Sequence, residues 1–171
     1  MKVELKVNGK TVQVEMTEEQ LKELGVIKER SRTGYERVKK SEMYYVVDTE
    51  YNSMSKNTEF NDQRDEQCYN TGNYYNDKAI AENNARADRL QRCLRQWQAQ
   101  NDEAISKEDW EYNDKDKWCI MYGYGAEELY VNWFYSVRLH NVIYFTTKEK
   151  AEEAIEVFRD ELLWYFTEYV Q

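Results

Sequence analysis

Three sets of side chains in this sequence have the types that chemistry needs. Carboxylates gather in two polar stretches: Asp48, Glu50, Asp62, Asp65 and Glu66 in the first, and Asp109, Asp114 and Asp116 in the second, where Trp110 and Tyr112 stand among them. Paired carboxylates can hold a cation or activate water, so Asp109 with Glu111, or Asp114 with Asp116, could serve a metal-dependent nuclease. As neighbours in a polar connector they read first as solvent-exposed charges, and the acidic spacing of the first stretch does not fit a calcium-binding EF-hand loop. Arg86, Arg89, Arg92 and Arg95 recur every three residues. Such a stripe could clamp phosphate or an acidic partner; equally it could pair with the carboxylates of a second helical segment, which carries Glu149, Glu152, Glu153, Glu156, Asp160 and Glu161. Cys68, Cys93 and Cys119 with His140 make a Cys3His set in name only, because zinc sites carry a close Cys-x(2–4)-Cys pair and this chain has none. The cysteines read as free thiols.

Motifs that would name a reaction are missing from the sequence. It contains no Gly-x-Gly-x-x-Gly, no phosphate loop, no Gly-x-Ser-x-Gly elbow and no His-Glu-x-x-His. His140, the single histidine, sits beside Asn141 in an expected turn, which weakens any Ser/His or Cys/His scheme. The expectation is a chain that binds rather than catalyses, without a cofactor or metal.

The elements that would position these groups follow from periodicity. Val3, Leu5 and Val7 alternate up to Asn8-Gly9, and Val12, Val14 and Met16 alternate after it, which predicts a hairpin. Thr17-x-x-Gln20 has the form of a capping box and predicts a short helix ended by Gly25; residues 28–40 read as a charged connector. Met43 to Val47 is a β-prone run, and Gln67 to Tyr75 is expected to be another strand. The polar residues between, 48–66, are too many for a structureless loop, so they predict a weak strand around Tyr51 to Phe60 or a functional excursion. A helix is expected from about Asp77 to Gln100, with Ile80, Ala87, Leu90, Leu94 and Trp97 on one face. After a polar connector, Trp118 to Tyr124 and Leu129 to Leu139 alternate as two antiparallel strands, Val142 to Phe145 adds a third, and Thr146-x-x-Glu149 opens a last helix as a second capping box.

One unit occurs twice at a shift of 70 residues. Tyr74-Tyr75-Asn76-Asp77 leads into Lys78, Ala81 and Glu82, and Tyr144-Phe145-Thr146-Thr147 leads into Lys148, Ala151 and Glu152. The expected fold class is therefore α+β: an N-terminal hairpin, short helix and connector over residues 1–40, then two similar antiparallel strand-strand-strand-helix modules over residues 41–100 and 101–171, with long helices covering the sheet.

Composition narrows the partners. With 33 acidic against 24 basic residues among 171, the formal charge is −9, which disfavours direct binding to nucleic acid or an anionic membrane and favours a basic partner surface. No run approaches the ~20 apolar residues of a membrane span, and Met1-Lys2-Val3-Glu4 does not open a signal peptide, so a cytosolic location is expected. Trp110, Tyr112, Trp118, Tyr122, Tyr124, Tyr130, Trp133, Phe134 and Tyr135 are more rings than one sheet face can hide, so some should be exposed or meet another chain, or else they fill a thick aromatic core between two sheets.

Thr33-Gly34-Tyr35-Glu36-Arg37-Val38, then Gly72-Asn73-Tyr74-Tyr75 before Lys78-x-x-Ala81-Glu82, and Asp160 through Tyr169 resemble segments of small uncharacterised proteins from phages and mobile elements of Gram-positive bacteria. The resemblance covers most of the chain from Thr33 onward, and its motifs are structural. It implies a viral accessory protein in the host bacterial cytoplasm. Small acidic proteins of that kind include inhibitors of host defence, among them anti-CRISPR proteins. The expected partner is then a host protein with a basic, nucleic-acid-binding surface, such as a CRISPR-Cas effector, met by Asp48, Glu50, Asp62, Asp65, Glu66, Asp109, Trp110, Tyr112, Asp114 and Asp116. The alternative is a protein that sequesters a nucleotide signal with Arg86, Arg89, Arg92 and Arg95 and aromatic walls.

Overall fold

The computed structural model describes residues 2–7, 10–24, 33–51, 53–111 and 115–169. The fold is α+β. The chain divides into two compact units, Met1–Glu36 and Arg37–Gln171. In the first, strands β1 (Lys2–Val7) and β2 (Lys10–Glu15) pair antiparallel with Val3 opposite Val14 and Leu5 opposite Val12. Glu4 faces Gln13, whose Nε2 donates to the Glu4 carboxylate at 3.1 Å. Helix α1 (Glu18–Glu23) opens on the expected box: Gln20 N donates to Thr17 Oγ1 at 3.2 Å, and Thr17 N donates to Gln20 Oε1 at 3.0 Å. Asn8-Gly9 and Gly25 lie outside the described residues.

The second unit begins with β3 (Met43–Asp48) and β4 (Ser53–Thr58), an antiparallel pair that includes the weak strand expected there. The expected strand over Gln67 to Tyr75 is corrected by the structure: most of it belongs to a helix, α2 (Gln63–Asn70). The cause is local. Asp62 accepts from Arg64 N and Asp65 N, and Asp65 accepts from Asp62 N in return, so a full capping box starts a helix where β-prone Cys68 and Tyr69 suggested extension. Gly72, at φ +72°, then turns the chain back. Tyr75 forms an isolated main-chain bridge to β3, exchanging both bonds with Tyr45 at 2.7 and 2.9 Å. The Asn73 side-chain amide takes the next two places in the ladder, bonding Val47 N at 2.7 Å and Val47 O at 3.0 Å.

Helix α3 (Lys78–Asn101) is capped by Asp77, and the short α4 (Lys107–Glu111) interrupts the expected connector. Strands β5 (Lys117–Gly123), β6 (Glu128–Phe134) and β7 (Tyr144–Phe145) form an antiparallel sheet in the order β6-β5-β7. Both later strands are shorter than expected. β6 stops at Phe134 because the carbonyl of Tyr135 turns to the buried Lys117, whose Nζ donates to it at 2.6 Å. Residues 137–139 wrap the Tyr144 hydroxyl, which accepts from Leu139 N at 2.9 Å.

Helix α5 (Lys148–Thr167) ends the fold and bends at Phe158 (φ −113°, ψ 16°). Its cap corrects the sequence reading: the cap is Thr147, which accepts from Lys150 N at 3.2 Å. Thr146 is held instead by the carboxylate of Asp102, which accepts from Thr146 N at 2.8 Å and from its hydroxyl. Replacing Thr147 by Ala is expected to remove about 1 kcal/mol of stability, read as a lower midpoint in urea; Thr147→Ser should restore it.

The positions matched by the 70-residue shift share physical roles. Asp77 and Thr147 cap helices, Ala81 and Ala151 are fully buried, and the pairs Lys78–Glu82 and Lys148–Glu152 both close at 3.0 Å. One core joins Leu90 and Leu94 of α3 to Ala151, Ala154, Ile155 and Leu162 of α5 around Phe145. A smaller one joins Val47 and Tyr75 to Ala81 and Ala85. Among the described residues no helix is long and apolar enough to cross a membrane.

Candidate functional site

Most of the carboxylates singled out from the sequence are held within their own neighbourhood. Asp48 accepts from Glu50 N and Tyr51 N and shapes the turn after β3, while Glu50 is exposed. Asp62 caps α2. Asp65 is buried at 2% exposure and accepts from the Tyr44 hydroxyl and from Phe60 N, both at 2.7 Å. Burial alone would raise its pKa, but the Tyr44, Phe60 and Asp62 donors outweigh that and hold it at about 2. Glu66 pairs with Arg37 at 2.5 Å, which lowers its pKa. Arg37 also bonds the fully buried Glu59, which accepts in addition from the Tyr74 hydroxyl at 2.7 Å. These residues form a structural knot under α2, with Tyr44 and Tyr74 stacked at 4.0 Å.

The second acidic stretch behaves alike. Asp109 pairs with Lys115 at 2.5 Å and closes a box with Ser106, and those donors lower its pKa to about 2. Trp110 is half-buried, edge-on to Tyr144 at 4.9 Å. Asp116 is half-buried, and Tyr112 and Asp114 lie outside the described residues. The arginine stripe divides. Arg86 and Arg89 both hold Glu161 of α5, at 2.8 and 3.4 Å, and the Arg86 guanidinium lies 4.0 Å from the centre of the Trp164 ring. Arg92 and Arg95 pair with no carboxylate among the described residues. Cys119 is buried, which pushes its thiol pKa up to about 11. Among the described residues no three His, Cys, Asp or Glu side chains gather as metal ligands would.

An acidic surface does exist, in a place that sequence reasoning did not single out. A groove of about 740 Å³ runs between β6 and α5. Glu128, Glu149, Glu152, Glu153 and Glu156 line it; Lys148 and Arg159 in the lining pair with Glu152 and Glu156, and Lys150 beside it pairs with Glu153, while Glu128 and Glu149 hold no cation among the described residues. One wall is β6, which among the described residues is the outermost strand and pairs with β5 alone. Edge strands are commonly blunted by Lys or Pro. β6 reads Glu-Leu-Tyr-Val-Asn-Trp-Phe and has neither. Tyr130 and Trp133 remain 39% and 41% exposed on it. The readable signal was the spacing Glu149, Glu152, Glu153, Glu156, which keeps carboxylates on neighbouring helix positions.

This arrangement can pair main-chain groups with an added strand, attract its cations and bury its apolar side chains against Trp133 and Tyr130. Comparison of the chain with protein-family models, with curated proteins and with solved structures gave no match.

Proposed function

We propose that this protein is a non-enzymatic phage accessory protein that inhibits a host-defence protein, of the CRISPR-Cas effector kind, by binding its basic surface in the bacterial cytoplasm. The observation that carries the reading is the groove beside β6, where five carboxylates and two exposed aromatic rings flank an unpaired strand edge. A basic, extended segment of the partner suits all three: its main chain continues the sheet, its Lys and Arg side chains meet the glutamates, and its apolar residues cover the rings. The finer architecture belongs to the same proposal. In it, two copies of one β-and-α module have diverged: the second leaves the groove open, while the first retains the internal knot of Arg37, Glu59 and Asp65.

The test is affinity capture from a bacterial host extract at increasing ionic strength. The expected result is a nucleic-acid-binding protein retained at low salt, released as salt screens the contact, and lost with the double variant Glu128→Lys/Glu153→Lys. Retention of no basic or nucleic-acid-binding protein at low salt overturns the proposal, as does undiminished capture by the double variant.

A further inference from the structure

A cavity of the opposite electrical character lies elsewhere in the Arg37–Gln171 unit. It has a volume of about 710 Å³ and is lined by Arg95, Arg138 and His140 together with Gln91, Gln98 and Asn141. No carboxylate lines it, in a chain whose formal charge is −9. Arg37, Arg86, Arg89 and Arg159 each hold a glutamate; Arg95 and Arg138, like Arg64 and Arg92, hold no carboxylate among the described residues, and of these four Arg95 and Arg138 line the cavity. Two cations left uncompensated on one concave surface repel each other and are stabilised by an anion.

The frame of this cavity is built in advance. Gln91, Arg95 and Gln98 are spaced by four and three along α3, so they share one face of a rigid helix. The Arg138 guanidinium lies 5.5 Å from the centre of the Trp110 ring, a cation–π contact that holds its fork. Trp110 rests edge-on against Tyr144, and the buried Tyr144 hydroxyl fixes Leu139 N at 2.9 Å, one residue beyond Arg138. Asn141 adopts φ +59°, the left-handed conformation Asn tolerates, and so turns His140 and its own amide to the same cavity.

We infer that this cavity binds a phosphorylated small molecule of nucleotide size, with phosphate oxygens on Arg95, Arg138 and His140. Guanidinium forks match the paired oxygens of a phosphate, and three cationic or donor groups suit its more than one negative charge. Side-chain amides offer donors and acceptors to the rest of the ligand, and the volume falls in the usual range for small-molecule sites. A concavity of this size in an otherwise acidic chain does not suit a long polyanion, whose remaining phosphates would meet carboxylates. The site shares no residue with the groove beside β6, so each stands or falls alone.

The experiment uses calorimetry and thermal shift with inorganic phosphate, pyrophosphate, AMP, ATP and a cyclic dinucleotide, with adenosine as the unphosphorylated control. At least one phosphorylated compound is expected to raise the melting temperature by mass action, and adenosine to leave it unchanged. Arg95→Ala and Arg138→Ala should each weaken that ligand about tenfold or more, the loss of one charge-assisted pair, while Arg64→Ala on α2 leaves binding as it was. Inorganic phosphate binding as tightly as the nucleotides would place recognition in the phosphate group alone; tighter nucleotide binding would assign the remaining cavity to the nucleoside, and both support the site. A melting temperature unmoved by every phosphorylated compound overturns the inference, as does a shift that survives in both arginine variants.

Discussion

Replacing Phe145 by Ala is expected to cost about 4 kcal/mol of stability, within the usual range for emptying a buried aromatic site. For a unit of this size that is a fall of about 15 °C in melting temperature. Phe145 is fully buried and sits where three elements converge: Leu90 and Leu94 of α3, the Ala151–Ile155 turn of α5, and the two-residue strand β7 that pairs with Trp118 and Cys119. Trp97 meets its ring edge-on at 6.0 Å. Small alanines at 151 and 154, both fully buried, let α5 approach closely, and that proximity leaves no room for the site to collapse once the ring is removed. Guanidinium unfolding of the parent and variant checks this. A loss below about 1 kcal/mol would show that the core does not converge on this ring, and Phe145→Leu should fall between.

The second large effect belongs to Asp65. Asp65→Ala is expected to cost about 3 kcal/mol, because it leaves the buried Tyr44 hydroxyl and the Phe60 and Asp62 N–H groups without their acceptor. The effect carries a pH signature that a simple packing defect would not. Asp65 titrates at about 2 in the folded protein against an ordinary carboxylate value near 3.8. A depressed folded pKa means that its stabilisation is complete above about pH 4 and is lost as the pH falls toward 2. Parent and variant should therefore differ fully in denaturant midpoint at pH 7 and converge as the solution is acidified from pH 4 to pH 2. A difference that stays constant over that interval would refute the ionised Asp65 as the source. Glu66 and Asp109 are also held below their ordinary values, by Arg37 and by Lys115 with Ser106, and favour the folded state less as the solution is acidified.

How far the fold could be read from the sequence depended on how locally each feature was determined. The hairpin alternation, the Thr17-x-x-Gln20 box, β3, the long helix α3 and the terminal helix α5 rest on signals within a few residues, and each stands where its pattern put it. The helix α2 was lost to a competing local cue: Cys68, Tyr69, Tyr74 and Tyr75 look β-prone, while the Asp62-x-x-Asp65 box that decides the matter uses an aspartate where the usual pattern has Glu or Gln. Thr146 against Thr147 shows a different limit. The two threonines are adjacent and either could cap, and the choice falls to Asp102, 44 residues earlier in the chain, which no local pattern reveals.

The same limit applies to the charged side chains. Asp48, Asp62, Asp65, Glu66 and Asp109 look available in a list of charges, yet each is taken by nearby N–H groups or by one cation. Arg86 and Arg89 are taken by Glu161 across the helix pair, as their alternative reading allowed. What remains is set by topology. β6 has an outer edge only because β5 lies between it and β7, and Arg95 and Arg138 line one cavity only because the residues after β6 fold back toward α3. Sequence periodicity identified both helices without showing which of their faces would be left uncovered.

The open edge of β6 also bears on the protein's behaviour toward its own copies. Two such edges could join as neighbouring strands, but the glutamates of both grooves would then be crowded together at short range. The surplus negative charge thus acts as a brake on self-stacking, and it does so without any of the lysines or prolines that usually guard an exposed strand. That brake is only as strong as the ionic strength allows. Added salt loosens the proposed contact with a basic partner while removing the repulsion between copies, so on that proposal one variable pushes heterologous and homologous assembly in opposite directions.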